Sequence, residues 1–179
     1  LTLLRDAAVQ MVAGLSGTSG LWMKLGGELR TCAEDSFEVS QKMSAALFKE
    51  FLPPIGREDL CALSFFCASL AGNLSQLHGS IGQPSSVFLG RLLPMGRLLA
   101  AACENIAGSP LPLSTAAIAV RLRAHRLVED SRRMQFRLQE QFSGKEKETA
   151  AVFLRQCVCF SEDCLDFCSQ LVLIAMKNA

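Results

Sequence analysis

The stretch Phe51-Leu-Pro-Pro-Ile-Gly-Arg-Glu-Asp59 separates one helical pattern from the next. Proline has no backbone donor and restricts the residue before it, so the Pro-Pro pair predicts the end of the incoming helix. The two acids after the arginine suit the positive end of a new helix dipole. We therefore predict a structural hinge between two antiparallel helices, formed by Phe51, Pro53, Pro54, Arg57, Glu58 and Asp59.

The composition on both sides of this hinge favours helices. Half of the 179 residues are apolar, 7% are aromatic and tyrosine is absent, whereas Leu, Ala, Met and Cys are plentiful. The length suits one domain or two small repeats of one unit. A net charge of +1 argues against the basic surface of a duplex-binding protein. We therefore expect an all-α protein with no nucleic-acid partner.

Apolar residues at spacings of three and four predict six helical segments and no strand. The segments cover about 3–12, about 28–50, about 57–78, about 85–107, about 114–142, and a last one that follows Ser143-Gly144 and ends near Lys177. The first segment can resume through 21–25 after a flexible run from Gly14 to Gly20. The order of helix, long helix, turn and long helix occurs twice. We predict an elongated bundle of two three-helix units, about 1–80 and about 85–179, in a single domain 1–179.

Two segments bear on where the protein works. The N-terminal residues 1–6 lack a basic region followed by an apolar run, so we expect no secretory signal. The most apolar window, 87–107, is interrupted by Arg91, Arg97 and Glu104, which disfavours a membrane-spanning helix. We expect a soluble, cytoplasmic protein.

The eight cysteines lie within helical patterns rich in Leu, Ala and Phe, where a thiol behaves as a small hydrophobic group. We therefore expect buried, free thiols rather than disulfides. In the C-terminal cluster, Cys157, Cys164 and Cys168 form one helical stripe while Cys159 points away. A single rigid helix cannot place all four thiolates around one metal ion.

The hinge, with Leu63, Cys67 and Leu70 after it, resembles the hinge of the PhoU-like phosphate-transport accessory family. In that family a Phe, a Pro, an Ile and an Arg-Glu-Asp-Ile sequence join two long helices. The segments 125–142 and 154–177 are similar to the family's closing helical hairpin, including a Cys and an Asp two residues apart and the terminal Lys177. The resemblance covers nearly the whole chain and implies two PhoU-like three-helix units with metal ions on acidic clusters.

In the first unit, the resemblance implies that the metal-binding carboxylates are lost. Carboxylates one turn apart on two facing helices supply the oxygen ligands that divalent or trivalent ions require. The matching positions here are Ala33, Phe37, Ala68, Ser69 and Gly72. A hairpin centred on the hinge places Ala33 near Gly72 and Phe37 near Ala68, so we predict an apolar seam there.

The second unit keeps part of the acidic set. Its matching positions include Glu129, Arg133, Glu162 and Asp166. The predicted hairpin brings Arg133 to Glu162, where a bidentate ion pair can replace the lost ion. The imidazole of His125, one turn before Glu129, leaves open an alternative, a residual metal site of His125, Glu129, Glu162 and Asp166.

Motifs of enzymes are missing from the sequence. It contains no Gly-rich phosphate loop and no nucleophile elbow, and its two histidines, His78 and His125, lie where helix ends or exposed faces are predicted. The arginine-rich run 121–133 is interleaved with Leu and Val, which indicates a solvated amphipathic face, with an acidic partner or a membrane surface as alternatives. We therefore expect a protein that is not an enzyme.

The resemblance implies an accessory or regulatory role in phosphate transport, exercised through contact of a helical face with a phosphate permease or a signalling protein. Because the acidic motifs are reduced, we expect no cofactor, with a divalent or trivalent metal ion as the alternative. We expect membrane association only through the partner. Two alternatives stay open: a metal-binding bundle for storage or metal-dependent hydrolysis, and a plain self-associating module such as a homodimer. The leucines that suit either the core or a dimer interface are Leu89, Leu92, Leu93 and Leu98.

Overall fold

The computed structural model describes residues 1–49, 56–108 and 116–177. These residues form six α-helices and no strand. The helices are α1 (Thr2–Ser16), α2 (Ser19–Leu47), α3 (Arg57–Gly79), α4 (Ser86–Ala107), α5 (Ala116–Gln139) and α6 (Gly144–Lys177). The prediction of an all-α bundle of six helices is confirmed.

Side-chain caps explain where α2 and α4 begin. The Thr18 hydroxyl accepts a hydrogen bond from the Leu21 amide at 3.4 Å, and the Ser85 hydroxyl accepts one from the Phe88 amide at 3.2 Å. Helix α3 begins at Arg57 and carries Glu58 and Asp59 in its first turn, as predicted. The other predicted hinge residues, Phe51, Pro53 and Pro54, lie outside the described residues.

The predicted flexible run between Gly14 and Gly20 is wrong. Helix α1 continues to Ser16, and α2 begins at Ser19, nine residues before the predicted Glu28. Gly14 is buried inside α1, and a Cβ atom added there would lie 2.8 Å from Leu25 Cδ2. Gly14 therefore allows close packing of α1 on α2, a reason for glycine that the sequence pattern does not separate from flexibility.

The long helices pair within each predicted unit, α2 with α3 and α5 with α6. The two units also contact each other, because α1 packs along α4 and α3 packs on α6. One continuous cluster of buried apolar side chains contains residues from all six helices, with Trp22, Phe153, Phe160 and Phe167 among the largest. Leu89 and Leu92 are fully buried, while Leu93 and Leu98 are partly buried against this core. These leucines belong to the core.

Two helices, α3 and α4, are long and apolar enough to cross a membrane by length and composition alone. The core helix of a soluble bundle passes the same test. In α4, the side chains of Leu89, Leu92, Met95 and Leu99 are buried against the other helices.

Candidate functional site on the outer faces of the two hairpins

A pair of serines sets the register of the α2–α3 hairpin. The hydroxyls of Ser40 and Ser64 lie 3.4 Å apart. Counting back along α2 and forward along α3 from this pair brings Phe37 level with Cys67, one residue from its predicted neighbour Ala68.

The positions that match the lost carboxylates differ in exposure. Ala68 is buried, Ala33 and Gly72 are half-buried, and Ser69 is exposed. The Phe37 side chain is 51% exposed, so it lies at the outer edge of the hairpin rather than inside an apolar seam. Two more phenylalanines of this hairpin, Phe48 and Phe65, are also exposed. The first hairpin therefore exposes three phenylalanine side chains.

A second pair of serines joins α5 to α6. The hydroxyls of Ser131 and Ser161 lie 3.0 Å apart, and both residues are fully buried. The Ser161 hydroxyl also donates to the Cys157 carbonyl at 3.0 Å, which leaves Ser131 as the donor to Ser161. Each hydroxyl therefore has an acceptor for its hydrogen in an otherwise apolar interface.

The predicted Arg133–Glu162 ion pair is wrong, because Arg132 takes its place. The Arg132 guanidinium donates to Glu162 Oε1 at 2.7 Å and to Glu129 Oε1 at 3.0 Å. Its hydrogen bond to Glu162 raises the pKa of Arg132. The Arg133 side chain is 73% exposed and approaches Asp130 at 3.9 Å. Neighbouring helix positions differ by about 100°, and the observed rotation of α5 points residue 132 towards α6.

The residual metal site is not assembled in the described part of the chain. No group of three or more His, Cys, Asp or Glu side chains there is arranged to hold a metal ion. His125 and Asp166 are exposed, and carboxylate oxygens of Glu129 and Glu162 accept hydrogen bonds from Arg132. A guanidinium between two carboxylates balances the charge that a metal ion would otherwise balance, so these residues do not fit the metal cluster that the family resemblance implies.

The cysteines are all free thiols. Cys157, Cys164 and Cys168 are buried and Cys159 is exposed, which confirms the predicted stripe. Burial raises the pKa of Cys157 and Cys164 well above the ordinary value and that of Cys168 to about 12. The buried thiols are therefore protonated at neutral pH and suit packing rather than nucleophilic chemistry.

Two polar contacts link α3 to α6. Asn73 on α3 donates to Asp163 on α6 at 2.9 Å, and burial raises the pKa of that carboxyl group. Lys177, near the end of α6, pairs with Asp59 in the first turn of α3 at 2.9 Å. No pattern in the sequence marks Asn73 and Asp163 as partners, because 90 residues separate them.

His78 is a structural residue at the end of α3. Its ring stacks on Trp22 with the ring centroids 4.5 Å apart, and its Nε2 lies 2.7 Å from the Trp22 carbonyl oxygen. Gly26 makes room for this ring, since a Cβ added there would lie 2.6 Å from His78 Cε1. The position at a helix end was predicted, but the stacking contact with α2 was not.

Comparison with known proteins reveals a similar fold in a solved structure. No protein-family model and no curated protein sequence matches the chain. The crystal structure of a PhoU-like protein from Shewanella oneidensis MR-1 is similar over 98% of this chain and 95% of that chain, with a TM-score of 0.73 and 14% sequence identity. The chain therefore has a PhoU-like fold along nearly its whole length.

Proposed function

We propose that this protein is a non-enzymatic accessory or regulatory protein of phosphate transport that acts through protein contacts. The observation that carries the proposal is the likeness to a PhoU-like protein across both units. Arg132 donates hydrogen bonds to Glu129 and Glu162, which supports a role that depends on protein contacts rather than on an ion held by these carboxylates. The partner is a phosphate permease or a signalling protein.

The surfaces best suited to a partner are the outer faces of the two hairpins. Phe37 and Phe65 are about half exposed on the first hairpin, and Ile118, Leu122 and Phe136 are exposed on α5. Single exposed apolar residues are normal in proteins. The three on α5 recur at spacings of four and fourteen residues, which places them on one side of the helix and suits packing of another helix.

The first test is phosphate uptake in a strain that lacks the gene, together with the expression of a phosphate-responsive reporter. We expect both to be altered and then restored by the wild-type gene. The double variants Phe37→Ser, Phe65→Ser and Leu122→Ser, Phe136→Ser should each restore less than the wild type. Val87→Ser, which changes an exposed residue at the start of α4, is the matched control and should restore fully.

Fractionation of the same cells tests partner and location together. We expect the protein in the cytoplasm, with a membrane-bound fraction that appears only when the permease is present. Unaltered uptake and reporter expression in the deletion strain would contradict the proposal. A stable homodimer by sedimentation, with no effect on transport, would favour a self-associating module instead.

Elemental analysis of protein purified without chelator or metal affinity resin tests the proposal that no metal cofactor is needed. We expect clearly less than one ion per chain. About one ion per chain, lost in a Glu129→Ala, Glu162→Ala variant, would favour the metal-binding alternative.

A further inference from the structure

An apolar cavity of about 260 Å³ lies between α1, α2, α3 and α6. Its floor consists of the buried side chains of Leu4, Phe167 and Leu171. Its mouth is formed by Leu3 and Val39, which are 42% and 55% exposed. The cavity is thus closed at the core side and reachable from solvent.

The walls determine the charge of a ligand that fits. Among the described residues, the side chains that line the cavity are those of Leu, Val, Met, Phe, Ser and Cys, and none of them carries a carboxylate, an amine or a guanidinium. The Cys67 thiol in the wall is neutral, because burial raises its pKa. Burying an unpaired ion in such surroundings is strongly unfavourable, so the cavity selects a neutral molecule. An apolar cavity of about 150 Å³ holds benzene, so this cavity suits a molecule of about ten non-hydrogen atoms.

One buried hydroxyl in the wall can accept a hydrogen bond from a ligand. The Ser64 hydroxyl donates its single hydrogen to the Cys61 carbonyl at 2.9 Å. Ser40 is therefore the donor in the 3.4 Å contact with Ser64, and its own oxygen retains lone pairs. Ser40 is 1% exposed and lines the cavity. Bulk water therefore has little access to the Ser40 hydroxyl oxygen, which can instead accept a hydrogen bond from a donor inside the cavity.

We propose that this cavity binds a neutral hydrocarbon molecule of about eight carbons that ends in a hydrogen-bond donor, such as a medium-chain alcohol. The chain fills the space between the leucines, and the hydroxyl donates to Ser40. This binding site is separate from the outer hairpin faces and does not depend on the proposed role in phosphate transport.

Titration calorimetry with 1-octanol and its isomer heptyl methyl ether tests the proposal. Both molecules have the same atoms, but the ether cannot donate a hydrogen bond. We expect 1-octanol to bind and the ether to bind about fivefold more weakly, as one lost hydrogen bond implies. In Ser40→Ala, the alcohol and the ether should bind equally.

Variants place the binding in this cavity. Leu63→Trp fills the space and should abolish 1-octanol binding, whereas Leu122→Trp on the exposed face of α5 should leave it unchanged. If circular dichroism shows that Leu63→Trp does not fold, Val39→Trp at the exposed mouth replaces it and should weaken binding at least tenfold. No binding of 1-octanol to the wild type, or binding that survives the cavity variant that folds, would overturn the proposal.

Discussion

The rotation of α5 about its own axis decides which arginine pairs with the carboxylates of the second hairpin. The matching position in the PhoU-like pattern is Arg133, but Arg132 is the residue that reaches Glu129 and Glu162. A shift of one residue turns a side chain by about 100°. The spacing of apolar residues fixes the rotation of a helix only to within about this angle. It therefore identifies the polar side of α5 but not which arginine on that side pairs with Glu162.

The pH dependence of stability should report on Asp163. Burial raises the pKa of this carboxyl group from its ordinary value of 3.8, so between the unfolded and folded pKa values the folded state binds more protons. The free energy of unfolding therefore falls as pH rises through that window. The stability that is linked to protonation of Asp163 is fully present only below the window. Asp163→Asn should flatten this part of the profile, measured by urea unfolding from about pH 4 to 7.

A substitution of Asn73 should change the pH dependence in the opposite direction to Asp163→Asn. Its hydrogen bond lowers the pKa of Asp163 and partly offsets the effect of burial. Asn73→Ala should therefore steepen the fall in stability that Asp163→Asn removes. Equal slopes for the wild type and both variants would show that this carboxyl group does not control the profile.

At the scale of a helix, glycines mark close packing as often as they mark turns. In α4, Gly96 is buried where an added Cβ would contact Leu15 of α1, and Leu15 is itself fully buried. Gly90 in the same helix is exposed, and a Cβ added there meets no atom within 4 Å. The two glycines look alike in the sequence and differ only in what lies opposite them.

Alanine substitutions at these two glycines should have opposite effects. Gly90→Ala should raise the free energy of unfolding by about 0.5–1 kcal/mol, since alanine is the better helix former. Gly96→Ala gains the same stabilisation from helix propensity, but its added methyl group crowds Leu15. Such overpacking costs about 1–3 kcal/mol. Chemical denaturation should therefore show Gly90→Ala to be more stable than Gly96→Ala by that amount. Equal stability of the two variants would mean that α1 shifts to make room for the added Cβ atom without loss of free energy.

At the scale of the whole molecule, the two predicted units share one core. Leu15 of α1 contacts the position of Gly96 in α4, and Phe66 of α3 packs edge-on against Phe167 of α6 with centroids 5.8 Å apart. Each three-helix unit is too thin to cover its apolar side alone, so burying both sides against each other lowers the free energy of the pair. Cooperative unfolding of both units follows from this arrangement.

Phe153→Ala tests that cooperativity. Phe153 is fully buried in α6, in the second unit, whereas Trp22, the single tryptophan of the chain, lies in the first. The variant should lose about 3–5 kcal/mol of stability, and the transitions followed by tryptophan fluorescence and by circular dichroism should shift together. A fluorescence transition that stays at the wild-type midpoint would mean that the units unfold independently.

Local chemistry along the chain was enough to predict six helices, the start of α3 at Arg57 and the buried face that holds Cys157, Cys164 and Cys168. Capping, proline and apolar spacing act over a few residues, so a linear pattern records them. Tertiary packing settled the role of Gly14, the choice of Arg132, the Asn73–Asp163 bond and the cavity beside Ser40. These features depend on how far each helix is rotated and how closely its neighbour approaches, and both are fixed only when all the helices bury their apolar sides together.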